Sequence, residues 1–154
     1  KEGALFKNFL LKEVEILNLL TLLRLKKAKF SKDIIRNFVI LSGDNLKDSK
    51  IMALANLDDL DELSKALART EYKNLIRDGI EEFKKTNSLI TLETGLYKHL
   101  LKQSALFMHQ HPLSIDVILG YMFAKDLEIR NLKIMVKGKQ LSLSEDFIES
   151  QLIF

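Results

Sequence analysis

The sequence predicts an all-α protein built from long helices. Apolar residues return at three- and four-residue steps over extended stretches. Only one proline and six glycines stand in 154 residues, so the turn punctuation of a many-stranded sheet is nearly absent. Two distant segments also repeat each other in register, which points to helical-bundle units used more than once: one full unit plus the start of the next.

The first helix is expected over Ala4–Lys27, where Leu5, Phe6, Phe9, Leu10, Val14, Leu17 and Leu20 mark an apolar face and Arg24, Lys26 and Lys27 suit the negative pole of the helix dipole. Ser31 reads as the N-cap of a short helix carrying Ile34, Ile35 and Phe38, with Asp33 in its first turn, and Gly43 breaks it. Residues 44–56 are polar enough for a loop holding one helical turn. Asp58 is expected to cap a helix over Asp59–Ala68, followed by helices over Thr70–Lys85 and Ser88–Gln110. Pro112 interrupts, Ser114 can cap, and a last long helix is expected to reach Lys137, where Gly138 is placed to end it. A short helix over Glu145–Leu152 closes the chain.

A chain of this length buries about 70 % of the surface its unfolded form exposes, and 47 % hydrophobic with 29 % charged residues is the profile of a packed domain. No cysteine is present, which excludes disulfides and thiolate metal sites and suits a reducing cytoplasm. No uncharged stretch approaches the roughly 18 residues a membrane helix needs. The chain opens at Lys1 without an initiator methionine or a secretory pattern, so a subdomain with repeats preceding it is expected. The net charge of +3 balances 24 basic against 21 acidic side chains and does not by itself indicate nucleic acid.

The repeat appears when Glu15 is laid on Glu128. Glu15, Ile16, Asn18 and Leu19 then match Glu128, Ile129, Asn131 and Leu132 without a gap; Arg24 and Lys26 match Lys137 and Lys139; Ser31, Asp33, Ile35 and Ile40 match Ser144, Asp146, Ile148 and Ile153. An apolar helix, its basic end and a serine cap keep one register, at a period longer than that of the usual solenoids. Residues 15–40 thus correspond to 128–153.

Chemistry-bearing groups are sparse. His109 and His111 offer two metal ligands but no matching cluster lies nearby, and helix-end histidines are common. The acidic run Asp58, Asp59, Asp61 and Glu62 lacks the glycine-centred loop of a calcium site and fits a helix N-terminus. Gly138-Lys139 lacks the upstream glycine and following hydroxyl of a phosphate loop, since Lys133 and Gln140 stand there. No Ser-His-Asp or paired-carboxylate spacing stands out. No catalytic residue, cofactor site or metal site is assigned.

The run His111-Pro112-Leu113-Ser114-Ile115, then Ile118-Leu119-Gly120-Tyr121, then Ala124 through Leu132, with Val136-Lys137-Gly138-Lys139, Leu143-Ser144 and Ile148, resembles the closing helices of the central-stalk C subunit (the d subunit in eukaryotes) of the A/V-type rotary ATPases. The likeness is close over the last 40-odd residues and weaker upstream through Glu15–Ile40 and Leu92-Glu93. Leu41-Ser42-Gly43-Asp44 stands where the family often has Pro-Gly-Gly, and Gly95-Leu96-Tyr97 where it often has Leu-Asp. The resemblance implies a non-catalytic, peripheral piece of a rotor on the cytoplasmic face of a membrane. It implies a funnel of related helical domains, seated on the membrane rotor ring and receiving the central-shaft subunits.

Two other readings use the same residues. A generic helical adaptor would bind a protein partner through an apolar groove. A nucleic-acid module would use Arg24, Lys26, Lys27, Lys29 and Lys32, although no aromatic residues alternate with them. The structural or interface candidates are Glu15, Asn18, Arg24, Lys26, Lys27, Tyr121, Glu128, Arg130, Asn131, Lys137 and Lys139. Glu15 with Asn18, and Glu128 with Asn131, share a helix face and are expected to bridge to a neighbouring helix or domain.

Overall fold

A computed structural model describes residues 4–42, 45–110 and 115–154. The described residues form eight α-helices and no strand: α1 Ala4–Lys27, α2 Lys32–Asn37, α3 Asn45–Ala55, α4 Leu60–Leu67, α5 Lys73–Thr86, α6 Ile90–Gln110, α7 Ile115–Gln140 and α8 Glu145–Gln151. The all-α expectation therefore holds. Two compact units divide the chain, Leu11–Gly95 in one and Lys1–Leu10 with Leu96–Phe154 in the other.

In the first of these units the apolar face of α1 supplies the core: Ile16, Leu19, Leu20, Leu22 and Leu23 are all buried, with Ile35 of α2, Ile51 and Ala55 of α3, Leu63 and Leu67 of α4, and Ile76 and Ile80 of α5. Helix α5 approaches α6 closely at Gly79, where an added Cβ would lie 2.7 Å from the Leu92 Cβ. In the other unit Leu100, Leu127, Ile148, Leu152 and Ile153 are buried, and the rings of Phe9 and Phe123 meet edge to face at 5.1 Å.

Three sequence expectations are corrected. Residues 45–55 form a complete helix, not a loop with one turn: burial of Ile51 and Ala55 outweighs the polar local sequence, and the Asp48 carboxylate accepts hydrogen bonds from the Ser42 backbone N–H (2.7 Å) and hydroxyl (2.9 Å). Asp59, not Asp58, caps α4, accepting from the Glu62 N–H at 2.8 Å while Glu62 accepts from the Asp58 N–H at 2.8 Å. Asp58 is drawn away to Lys32. Gly138 lies inside α7 and does not end it; its missing side chain admits Ile148, whose Cγ1 would sit 2.6 Å from a Cβ there. The expectations at Gly43, Pro112 and Ser114 lie outside the described residues.

Helices α1 and α7 end in the same way. At Lys29 (φ 57°) and Ser142 (φ 54°) the backbone turns left-handed. Phe30 N–H then donates to the Leu25 carbonyl (3.1 Å) and Leu143 N–H to the Gly138 carbonyl (3.0 Å), while Lys29 and Ser142 N–H donate to Lys26 and Lys139 at 3.0 Å each. This six-to-one and five-to-two pairing satisfies orphan carbonyls of each helix end. Ser31 and Ser144 then occupy the N-cap positions of α2 and α8; only the Ser144 side chain accepts a capping bond, from the Phe147 N–H.

Gly79→Ala is expected to destabilise the chain: helix propensity favours alanine by about 1 kcal/mol, but overpacking against Leu92 costs about 1–3 kcal/mol. A denaturant midpoint at or above that of the parent chain would show that α5 and α6 can separate freely.

Candidate functional site

Two asparagines on long helices each hold a stretch of backbone that returns alongside them. On α1, Asn18 Nδ2 donates to the Ile40 carbonyl at 2.8 Å and Asn18 Oδ1 accepts from the Ile40 N–H at 2.8 Å. On α7, Asn131 Nδ2 donates to the Ile153 carbonyl at 2.8 Å and Asn131 Oδ1 accepts from the Ile153 N–H at 3.0 Å. In both cases the side chain stands in for a neighbouring strand and satisfies both polar groups of one residue, the recipient lying 22 positions on. An amide is required, because it alone carries a donor and an acceptor side by side at that reach.

The carboxylates beside the clamps differ. Glu15 retains exposed surface, yet partial burial of its carboxyl and then the nearby Glu71 charge hold it above the ordinary glutamate value, against the pull of Lys12, Lys47 and Lys50. Tyr72 is buried beside it, and burial, reinforced by the Glu15 and Glu71 charges, pushes its phenol far above the ordinary tyrosine range. Glu128 is exposed and pairs with Lys125 on its own helix at 2.6 Å.

The basic end of α1 is engaged within its unit. Arg24 makes a two-toothed pair with Glu93 of α6, both contacts at 2.7 Å. Lys26 is buried, and its ammonium donates to the Ala55 (3.3 Å) and Leu57 (2.5 Å) carbonyls at the end of α3; burial, then the Lys32 charge, hold it below the ordinary lysine value. Lys27 donates to the Asn87 carbonyl at 2.7 Å and lies 5.6 Å from the Phe83 ring centre. Lys32 meets Asp58 at 2.5 Å. Four of the five basic residues of this run, Arg24, Lys26, Lys27 and Lys32, thus hold partners within their unit.

On α7, Arg130 stacks over the Tyr97 ring at 3.8 Å, and Lys125 lies 5.7 Å from the exposed Tyr121 ring. Lys139 pairs with Glu145 across the turn into α8, and Lys137 is exposed. Glu93, Tyr97, Glu71 and Tyr72 were not among the sequence candidates. Among the described residues no cluster of three or more metal-ligating side chains occurs, and no helix is long and apolar enough to cross a membrane. The side chains of His109 and His111 lie outside the described residues.

The polar side chains described above are spent on backbone clamps and helix-to-helix pairs. Residues 1–151 match the model of the ATP synthase (C/AC39) subunit family, and the chain belongs to that family. It is 35 % identical to the A-type ATP synthase C subunit of Methanococcoides burtonii over 99 % of this chain and 42 % of that protein. The same subunit of Methanosarcina acetivorans is 36 % identical over 99 % and 41 %, and that of Methanocaldococcus jannaschii 29 % identical over 99 % and 38 %. The chain thus spans less than half the length of these relatives. No solved structure matches it.

Asn131→Leu leaves the buried Ile153 N–H and C=O without partners and is expected to cost about 1–3 kcal/mol, lowering Tm by several degrees. Asn131→Asp, which keeps the shape but turns a carboxylate oxygen on the Ile153 carbonyl, is expected to cost at least as much at neutral pH; an unchanged thermal unfolding curve for either variant would overturn the clamp's role. Glu15 gives a pH signature. Its folded-state value lies above the unfolded one, so the native state holds its proton longer and stability falls as pH rises from the ordinary glutamate value through the folded one. Glu15→Gln is expected to remove that fall and to raise Tm at neutral pH by a small amount, on the order of 1 °C for a group this exposed; urea unfolding of both chains between pH 4 and 8 checks it.

Proposed function

We propose that this chain is a non-catalytic part of the central stalk of an A-type rotary ATPase, passing torque between the central shaft and the membrane rotor ring from the cytoplasmic face. The observation that carries this is the family match over residues 1–151. The named relatives are the C subunits of A-type ATP synthases. The transported ion and the chemistry of ATP would then belong to other subunits, and this chain would supply stiffness and attachment.

The reading includes the two ends of the chain as copies of one helical unit. The paired asparagine clamps, the left-handed helix ends at Lys29 and Ser142, and the serines at the following N-caps support it. Stiffness suits such an arrangement, since α1 and α7 are each tied back to their own return segment by short polar contacts. The contact residues toward shaft and ring are narrowed by what is already engaged: Arg24, Lys26 and Lys27 hold partners within their unit, while Tyr121 and Lys137 present exposed surface.

Calorimetry of this chain with the purified central-shaft subunits of the host's A-type ATPase, at low and high salt, is expected to give saturable one-to-one binding. Absence of binding by this chain and by a full-length subunit alike would overturn the proposal. Binding to duplex DNA that falls steeply with salt would instead favour the nucleic-acid reading.

A further inference from the structure

Each asparagine clamp borders a cavity, and the two cavities can be compared wall by wall. Beside α1 one wall is Leu11, Val14, Glu15, Asn18, Leu19 and Ile40, and the facing wall is Ile51 and Leu54 of α3 with Leu67 of α4. Beside α7 the wall is Ala124, Leu127, Glu128, Asn131, Leu132 and Ile153, the same positions under the shift that carries Glu15 onto Glu128. Leu101 of α6, Met135 and Phe154 also line this second cavity, and no counterpart of Ile51, Leu54 or Leu67 is among its described lining residues.

The exposures follow. Ile16, Leu19 and Leu23 are 0 %, 1 % and 0 % exposed, whereas their counterparts Ile129, Leu132 and Val136 are 49 %, 50 % and 66 % exposed. At these three positions the side-chain chemistry is nearly unchanged, isoleucine for isoleucine, leucine for leucine and valine for leucine, with Lys139 at the place of Lys26 and Lys133 at that of the buried Leu20. Lys26 points its ammonium at the carbonyls where α3 ends, while Lys139, among the described residues, meets Glu145 across an exposed turn.

We infer that this face of α7 is a docking surface for a helical cover of the α3–α4 kind, contributed by the part of a longer chain of this family that lies outside these 154 residues. The cover would carry an aliphatic stripe against Ile129, Leu132 and Val136 and would end a helix so that its last free carbonyls meet Lys139. Relatives of this chain provide a source, since it matches only 42 % of the Methanococcoides burtonii subunit. A second copy is the poorer fit: its α3 and α4 already cover its own α1, and two α7 faces laid together offer Lys139 no helix end. The inference rests on reading the two ends as copies of one unit, and does not require the shaft contact.

The cysteine-free sequence permits a direct test, because Val136→Cys supplies the only thiol. In a tandem chain, residues 42–87 follow Phe154 directly, as Ser42 follows Leu41, which holds the cover at a high effective concentration. The thiol is expected to react at least 10-fold more slowly with a maleimide in the tandem chain than in the 154-residue chain, and Leu132→Asp in the tandem chain is expected to restore the fast rate. Equal rates in the two chains would overturn the inference, and with shaft binding intact would leave the stalk reading standing. Concentration-dependent protection in the 154-residue chain, with a matching dimer in ultracentrifugation, would assign the face to a second copy and likewise overturn it. If the tandem chain fails to fold, a synthetic peptide of residues 42–87 is added to the 154-residue chain instead: saturable one-to-one binding lost in Leu132→Asp supports the docking surface, and no binding up to millimolar peptide overturns it.

Discussion

The architecture depends on a side-chain amide held against a backbone amide. A helix packed through its apolar face has no intrinsic way to fix the chain that leaves a following short helix, since that segment brings an N–H and a C=O of its own into a buried place. Asn18 and Asn131 solve this by presenting one donor and one acceptor to Ile40 and Ile153. Once these residues are fixed, the apolar side chains that flank them are fixed too, and Ile35 and Ile148 enter the core from α2 and α8. Two hydrogen bonds contribute modestly to net stability, but leaving their buried partners unpaired costs more, so the clamp specifies register more than it adds strength.

Around each clamp the charges play different parts, which shows how one local geometry serves two settings. Beside Asn18 the α3 and α4 cover raises the cost of ionising Glu15 and buries Lys26 against carbonyls. Beside Asn131 the equivalent Glu128 and Lys139 remain in water and pair locally with Lys125 and Glu145. Exposed pairs of that kind contribute little, whereas a lysine taken out of water needs its acceptors in place. Similar residues on similar helices thus acquire different roles from the presence or absence of a cover.

Much of this was legible in the sequence. Periodicity located the long helices, and the register match from Glu15–Ile40 to Glu128–Ile153 singled out the asparagines but not the residues that receive them. What periodicity does not report is the partner of a backbone group: nothing in the side chains of Ile40 or Ile153 marks them as recipients. The segment 45–55 misled because its polar residues are helix-compatible surface, and only the burial of Ile51 and Ala55 makes it a helix. Gly138 misled for a related reason: a glycine near a helix end suggests a left-handed cap, but here close approach to Ile148 uses its missing side chain while Ser142 takes the left-handed turn. The sequence does not show the acceptors of the basic residues on α1, because Glu93, Asn87 and the end of α3 lie far along the chain.

The arrangement has a mechanical consequence. A helix transmits torque only if neighbouring elements cannot slip along it, and apolar contacts alone resist sliding weakly because one aliphatic neighbour replaces another at little cost. Directional contacts do not slide: the Asn18 and Asn131 clamps, the Arg24–Glu93 fork and the Arg130–Tyr97 stack each lose their geometry on a shift of one residue. Such contacts occur in each compact unit, at α1 in one and at α7 in the other. The chain therefore combines an interchangeable apolar seam, which gives cohesion, with a few polar contacts that fix position.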